Sequence, residues 1–351
     1  MAALLSVRDV AEGAATLRLD ADGNPEAPLV VIDLDTVSDW QSKVVVAAVA
    51  AVADRCPILV GISQQALPPE SGAILDALTC TLVTAAHAEA NAIPRTFVEV
   101  ADPAAAAESL VESVATAPFA ALTLAGLLKI TDHAAVLDGL TAESLAYSML
   151  LAGPEFTAWR AATPRKPEVD DESPILLSRE DDALNVVLNR PKRHNAFGHA
   201  LRDGVVEALR MAELDPTIAT VELSGAGKSF CSGGDLDEFG TAPNVSAAHL
   251  IRVRQSAGLA IHRCADRVRA RLHGACIGAG IEVPAFAGRV EAEADTYFQL
   301  PELRMGLVPG AGGTVSITKR IGRWRTAYLA LHGQPIDIDT ALRWGLVDGR
   351  A

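Results

Sequence analysis

Two kinds of segment alternate along most of the chain. Short runs rich in β-branched residues, such as LVVIDLD (29–35) and PILVGIS (57–63), are each followed by a longer, alanine-rich run. The short runs have the length of buried strands and the long ones that of helices. Their regular succession predicts a parallel, layered α/β fold. In this succession FAALTLAGLLKI (119–130) takes a strand position, and Asp102 before Pro103 predicts a helix start.

The pattern is interrupted once, by AATPRKPEVDDESP (161–174), which combines prolines with charges of both signs and has no apolar periodicity. We interpret it as a linker between an N-terminal α/β domain (1–160) and a second domain (175–351). Segment lengths after the linker resemble those before it. We therefore hypothesise that the first domain is a degenerate copy of the second. Glycine-rich loops occur only in the second half, so any site is expected there.

Composition narrows the class of protein. The net charge of −14 argues against a general nucleic-acid or anionic-membrane binder. The N-terminus does not have the pattern of a signal peptide, and the most apolar run, VVVAAVAAVA (44–53), is too short to span a bilayer. Neither the histidines nor the cysteines show metal-ligand spacing, so we expect no metal and a reduced, cytoplasmic protein. The five cysteines are expected to be packed rather than reactive: Cys56, Cys80, Cys231, Cys264 and Cys276.

Four segments of the second half carry candidate chemistry: NRPKRHNAF (189–197), GKSFCSGGDLDEF (227–239), HGACIGAGIEVPAF (273–286) and YFQLPELRMGLVPGAGGT (297–314). Each is placed near the end of a predicted strand, where an α/β sheet presents loops to a ligand. Glycine allows backbone N–H groups to approach a ligand closely, as an oxyanion pocket requires. Glu282 and Glu302 lie in two of these segments. Two acids in one apolar site repel each other, so one keeps its proton, and such a pair suits proton transfer beside a carbonyl.

In order and spacing, these four segments resemble the enoyl-CoA hydratase/isomerase (crotonase) family, over roughly Ser178 to Gly349. The resemblance implies a spiral of ββα turns in the C-terminal half, usually assembled as trimers or dimers of trimers, so we expect a homo-oligomer. It also implies that two backbone N–H groups stabilise the enolate of an acyl-CoA thioester. The matching donors are Gly234 and Ala279, the second a position where the family more often has glycine.

Family members that hydrate an enoyl thioester carry two glutamates, and the resemblance places them at Glu282 and Glu302. It implies that water lies between the two carboxylates, that hydroxide adds to Cβ and that a proton goes to Cα. Coenzyme A enters as part of the substrate, and no separate cofactor is expected. The remaining residues that the resemblance assigns to substrate and CoA binding are Lys192, Arg193, His194, Ala196, Ser232, Gly233, Asp235, Leu236, Gly278, Gly280, Pro301 and Gly310.

The chain departs from the family pattern in one respect. Members usually continue for several helices beyond the segment matching ALRWGLVD (341–348), whereas here the extra sequence precedes the motifs. We hypothesise that the first domain packs where those helices or a partner subunit would lie. Three functions stay open: a hydratase, another enzyme of the family (an isomerase, a hydrolase or a ring-modifying enzyme), and a non-catalytic acyl-CoA-binding subunit.

Overall fold

A computed structural model describes residues 4–53, 57–84, 94–165 and 173–351. Its helices follow the alanine-rich and amphipathic segments of the sequence. In chain order they are α1 (Val7–Ala11), α2 (Lys43–Ala53), α3 (Gly72–Ala77), α4 (Pro103–Thr116), α5 (Pro118–His133), α6 (Val136–Leu151), α7 (Pro154–Ala162), α8 (His199–Leu214), α9 (Val245–Arg254), α10 (Ala257–Arg263), α11 (Ala279–Glu282), α12 (Gly313–His332) and α13 (Ile338–Trp344).

Most of the strand pairs are parallel. The strands are β1 (Leu4–Ser6), β2 (Arg18–Leu19), β3 (Pro25–Glu26), β4 (Leu29–Asp33), β5 (Ile58–Ser63), β6 (Cys80–Thr84), β7 (Phe97–Val100), β8 (Ile175–Glu180), β9 (Ala183–Leu188), β10 (Thr220–Gly225), β11 (Val268–Leu272), β12 (Ala275–Ile277), β13 (Arg289–Ala292), β14 (Tyr297–Gln299), β15 (Ile336–Asp337) and β16 (Gly349–Arg350).

The N-terminal half contains a five-stranded sheet in the order β1-β4-β5-β6-β7, with parallel neighbours throughout. Successive residues of a strand point to opposite faces, so both faces of this sheet are covered. Val30 and Ile32 join a core with residues of α1, α2 and α3, whereas Leu29 and Val31 join the core that contains α4 and α5. Strands β4, β5 and β7 are confirmed, whereas β6 lies inside an alanine-containing run (71–91) that the alternation places on a helix. The predicted start of α4 is confirmed, since Asp102 accepts a hydrogen bond from the N–H of Ala104 at 2.9 Å.

The C-terminal half contains two sheets set by its glycine-rich motifs. Six strands run in the order β16-β13-β11-β10-β9-β8, and a separate three-stranded sheet pairs β12, β14 and β15. The strand β12 follows β11 after only two residues, so the chain leaves the large sheet there and enters the small one. In both the five-stranded and the six-stranded sheet, neighbouring strands follow one another in chain order once the strands of the smaller sheets are left out. The hypothesis that one half is a degenerate copy of the other stays a prediction.

The predicted alternation is also wrong at a second segment. Residues 119–130, placed on a strand, belong to helix α5. The run is rich in leucine and alanine, which favour helices, and its length exceeds that of an ordinary strand. Residues 103–162 therefore form four successive helices, α4 to α7, between the two groups of strands.

These four helices join the N-terminal half to the C-terminal half through one continuous apolar core. That core extends from Leu29 to Val347. Helix α5 packs along α12, where the Thr131 hydroxyl donates to the carbonyl of Thr314 at 2.7 Å. Helix α7 continues to Ala162, and residues 166–172 of the predicted linker lie outside the described ranges. The division into two domains at 161–174 stays a prediction.

Within the described ranges no single helix has both the length and the apolarity to cross a bilayer. Helices α4 and α5 meet those criteria only when taken together, and they are bent by 112° relative to each other. The described residues also contain no group of three or more His, Cys, Asp or Glu side chains arranged to hold a metal ion. Of the cysteines, Cys56 lies outside the described ranges, and the other four are buried and form no disulfide.

Candidate active site

Two glycine-rich loops of the C-terminal half lie side by side. The backbones of Cys231 and Cys276 form an isolated parallel β-bridge, and the N–H of Ile277 donates to the carbonyl of Cys231 at 3.1 Å. Gly234 lies three residues after Cys231, and Ala279 lies three residues after Cys276. The backbone N–H groups of Gly234 and Ala279 donate no hydrogen bond to any described residue. Two unused donors thus stand on neighbouring loops, as an oxyanion pocket requires.

Close packing between these loops depends on glycine at two positions. A Cβ on Gly280 would lie 2.2 Å from the carbonyl oxygen of Cys231, which is backbone and cannot move aside. Gly278 has a backbone φ of +50°, which residues with a Cβ rarely adopt. Helix α11, which begins at Ala279, is a single turn followed by a 3-10 turn at Pro284–Phe286.

The two predicted glutamates converge on the same point. Glu282 ends α11, and Glu302 begins a 3-10 turn after the strand β14. A methyl group built on Gly278 would lie 2.5 Å from Glu302 Oε1 and 3.7 Å from Glu282 Oε1. Both side chains are buried, with exposed fractions of 2% for Glu282 and 7% for Glu302. The carboxylates therefore face a common space beside the start of α11.

A third buried carboxylate, which the sequence analysis missed, comes from helix α6 of the N-terminal half. Glu143 accepts hydrogen bonds from the N–H of Gly312 at 2.7 Å and from the N–H and hydroxyl of Thr314 at 3.0 and 2.7 Å. A signal for it exists in the sequence, because Glu143 lies on the apolar stripe of α6. An acid on a buried stripe is rarely placed there without partners.

Burial and mutual repulsion alter the ionisation of these acids. Burial raises the pKa of Glu282 to about 7, against the opposing effect of N–H groups from Ala311 and Gly313 that donate to it. Burial, with the nearby charge of Glu282, raises the pKa of Glu143 to about 8. Burial also raises the pKa of Glu302 well above its usual range, and the charges of Glu282 and Glu143 add to this effect. Glu302 Oε2 is buried and has no hydrogen-bond partner among the described residues, as suits a protonated acid.

A cavity of about 640 Å³ opens beside the carboxylates, and both halves of the chain line it. Leu140, Glu143 and Tyr147 line it from α6. The ring of Tyr147 packs so closely on Gly310 that a Cβ on that glycine would lie 2.3 Å from Tyr147 Cδ2. The N-terminal half is therefore part of the wall of the candidate site.

The loop after β10 is also held from the N-terminal half. Phe239 packs on Gly234, and its ring lies 6.4 Å from that of Trp159 on α7. Arg160 and Arg165 donate side-chain hydrogen bonds to backbone carbonyls between Leu236 and Phe239. Helix α7 and the residues that follow it thus fix the loop that carries one of the unused N–H donors.

The basic loop at residues 190–196 is tied to the same glycine turn. Asp235 accepts hydrogen bonds from Arg190 and Arg193, each at 3.0 Å, and Arg193 also pairs with Asp237. Buried Asn195 donates to carbonyls at 226, 229 and 230, which joins this loop to the segment after β10. The positive charge predicted at Arg193 for phosphate binding is therefore compensated by two aspartates, whereas Lys192 is exposed.

The cavity collects only part of the predicted site. The predicted residues that line it are Arg193, Gly234, Asp235, Ala279, Glu282, Glu302 and Gly310. Those outside its lining are Lys192, His194, Ala196, Ser232, Gly233, Leu236, Gly278, Gly280 and Pro301. Gly278 and Gly280 nevertheless set the positions of the glutamates and of the paired loops. The substrate-binding role of the residues outside the lining stays a prediction.

Burial raises the pKa of the Cys231 thiol to about 12, which disfavours the thiolate that a nucleophilic cysteine requires.

Comparison with known proteins gives matches to the C-terminal half. A model of the enoyl-CoA hydratase/isomerase family matches residues 179–349. A 2,3-dehydroadipyl-CoA hydratase from Escherichia coli is 31% identical over 175 residues, which cover 50% of this chain and 68% of that protein. A 1,2-epoxyphenylacetyl-CoA isomerase from the same organism is 31% identical over 177 residues, or 49% of this chain and 68% of that protein. The solved structure of an enoyl-CoA hydratase from Mycobacterium smegmatis is 28% identical and has a TM-score of 0.48, covering 51% of this chain and 70% of that one.

Proposed function

Since the chain belongs to the enoyl-CoA hydratase/isomerase family, we propose that it adds water across the double bond of an α,β-unsaturated acyl-CoA, or removes water in the reverse direction. The observation that carries this proposal is the convergence of Glu282 and Glu302 on one point beside Gly278. Hydration requires one group to take a proton from water and another to give one to carbon. The two acids are in different environments and suit these two tasks.

The proposed base is Glu282. Its Oε2 accepts hydrogen bonds from the N–H groups of Ala311 and Gly313 at 2.8 and 2.9 Å, which favours the ionised form. This leaves Oε1 facing the common space to take a proton from water. The proposed acid is Glu302, because burial raises its pKa well above the usual range and so favours the protonated form. As the ionisation of Glu282 raises the pKa of Glu302, the base maintains the acid in its working state.

The proposed reaction is balanced with these two groups. A water oxygen bonds to Cβ of the thioester while Glu282 takes one of the water's protons. The electron pair of the Cα–Cβ double bond then forms a double bond between Cα and the carbonyl carbon, and the carbonyl π pair moves to the oxygen. Glu302 then gives its proton to Cα, and the carbonyl re-forms. The oxygen carries negative charge between these steps, and the N–H groups of Gly234 and Ala279 are the proposed donors to it. Loss of one such donor costs about a hundredfold or more in rate in other enzymes.

An isomerase is the second candidate, because a curated isomerase is as similar to this chain as the hydratase is. The same acids would then move a proton between two carbons of the acyl chain, without addition of water. We retain two further proposals that rest on the sequence: the protein is a cytoplasmic homo-oligomer, and exposed Lys192 contacts the phosphates of CoA.

The direct test incubates the protein with short and long enoyl-CoA thioesters and follows the loss of enoyl absorbance, with mass spectrometry of the products. We expect a 3-hydroxyacyl-CoA, and a drop in rate of about a hundredfold or more for Glu282→Gln and for Glu302→Gln. Glu207→Gln, an exposed position on α8, is the matched control and is expected to keep full activity. A shifted double bond with no mass gain would identify an isomerase. A protein that binds acyl-CoA and leaves all enoyl thioesters unchanged would contradict both candidates.

A further inference from the structure

A positively charged side chain lines the cavity among apolar neighbours. Arg252, on helix α9, contributes to the wall together with Leu140, Leu151, Ala248 and Ile251. Acyl chains made only of carbon and hydrogen favour uniformly apolar walls, because they cannot replace the water that a cation loses on burial. Arg252 therefore calls for a different explanation from that of its apolar neighbours.

Helix α6 holds the guanidinium group of Arg252 in a fixed position. The group lies over the ring of Tyr147, 4.6 Å from the ring centre. Its Nε donates to the hydroxyl of Ser144 at 3.2 Å, and Nη2 donates to the Ser144 carbonyl at 3.4 Å and to the Ser148 hydroxyl. All of these partners are uncharged. The side chain is thus oriented before any ligand enters, which lowers the entropy lost on binding.

The charge of Arg252 has no ion-pair partner among the described residues. Glu143 attracts it at longer range, but both oxygens of Glu143 are already engaged by the N–H groups of Gly312 and Thr314. Arg252 Nη1 donates no hydrogen bond within the described part of the chain, and neither does the hydroxyl of Tyr147. One cationic donor and one neutral donor, both next to the cavity, are therefore available to a ligand.

We propose that Arg252, assisted by the Tyr147 hydroxyl, binds a carboxylate at the far end of the acyl chain, so that the preferred substrates are ω-carboxyacyl-CoA thioesters. The proposal rests on the proposed function only in that the ligand is an acyl-CoA. A carboxylate accepts charge-assisted hydrogen bonds from a guanidinium group, often two at once. It would also compensate the charge that the cavity wall leaves without an acidic partner.

The test measures binding rather than catalysis. Saturated ω-carboxyacyl-CoA thioesters of increasing chain length are compared by calorimetry with methyl-ended acyl-CoA thioesters of the same length. At the length that reaches Arg252, the wild-type protein is expected to bind the carboxylate-ended ligand about tenfold or more tightly. Arg252→Gln should remove this preference, so that the carboxylate-ended and the methyl-ended ligands bind with similar affinities. Tyr147→Phe should reduce the preference by a smaller factor.

Arg254→Gln is the matched control, since Arg254 lies on the same helix, is exposed and does not line the cavity. It should retain the full preference. The wild-type comparison needs no variant to fold, and saturated thioesters cannot be hydrated, so a failed hydration assay leaves this result intact. Equal or weaker binding of the carboxylate-ended ligand at every length, or an undiminished preference in folded Arg252→Gln, would overturn the assignment.

Discussion

Glu143 and Glu282 accept hydrogen bonds from alternate residues at the start of one helix. The N–H groups of Ala311 and Gly313 donate to Glu282, whereas those of Gly312 and Thr314 donate to Glu143. The first N–H groups of a helix have no partner within it and attract negative charge. One carboxylate comes from a glycine-rich motif and the other from the N-terminal half. The start of α12 therefore joins the two halves of the chain at the candidate active site.

The first prediction concerns Glu143→Gln and the pH dependence of the rate. The charge of Glu143 contributes to the raised pKa of Glu302, and this effect is present once Glu143 ionises, near its own pKa of about 8. Removal of the charge should lower the pKa of Glu302, so the proposed acid loses its proton earlier. We expect the alkaline limb of the kcat profile to move to lower pH. Glu108→Gln, exposed on α4, should leave the profile unchanged. A shift to higher pH would contradict this electrostatic role.

The second prediction concerns stability and pH. Glu143 and Glu282 have pKa values of about 8 and about 7 in the folded protein, above the ordinary value of 4.5. At pH values above 4.5 and below these folded-state pKa values, the folded protein holds protons that the unfolded protein has released. The free energy of unfolding should therefore fall as pH rises through this range, by about 1.4 kcal/mol per pH unit for each such proton.

Chemical denaturation at several pH values between about 5 and about 8 measures this slope. Glu302→Gln should make this slope shallower, because burial also raises the pKa of Glu302 in the folded protein and glutamine has no carboxyl proton to hold. If stability rises over the same range, these carboxylates are ionised in the folded protein and their assigned environments are wrong.

The third prediction concerns Gly278→Ala. The new methyl group would meet Glu302 Oε1 at 2.5 Å, and the backbone would have to keep a φ of +50°. We expect the variant to lose activity by about a hundredfold, because the proposed acid is displaced. Gly126→Ala is the matched control, since nothing lies within 4 Å of its added methyl group and the residue is in the middle of α5. That change should raise stability by about 0.5 to 1 kcal/mol. Full activity in Gly278→Ala would argue against a role for Glu302.

The fourth prediction concerns the ion pairs of Asp235. Its side chain is 3% exposed and that of Arg190 is 4% exposed, and their charged atoms are 3.0 Å apart. Asp235→Asn removes the charge that compensates Arg190, so we expect a loss of about 3 to 5 kcal/mol in the free energy of unfolding. The pair between Arg202 and Asp203 lies nearer the surface, and Asp203→Asn should cost about 1 kcal/mol or less. Similar losses in the free energy of unfolding in the two variants would show that the buried ion pair stabilises the protein no more than the exposed one.

Several features of the site could be predicted from local sequence. The glycines at 234, 278 and 280 and the acids at 282 and 302 belong to short motifs, each with its own backbone requirements. The structure places both acids beside Gly278 because the motif loops follow neighbouring strands. In contrast, the alternation predicts a strand at residues 119–130, and these residues form part of α5. Hydrophobic periodicity alone does not distinguish a buried strand from a buried helix, and here the length and the leucine and alanine content of the run favour the helix.

The amino-acid sequence by itself determined the alternation of strands and helices, the glycine-rich loops and the family to which the C-terminal half belongs. Only the tertiary structure decided that Glu143, Tyr147 and Arg252 line the same cavity as Glu282 and Glu302. The physical reason is that local backbone preferences act over a few residues, whereas a shared cavity depends on how distant helices pack. Glu143 and Gly312 are far apart in the chain, and no local pattern encodes the hydrogen bond between them.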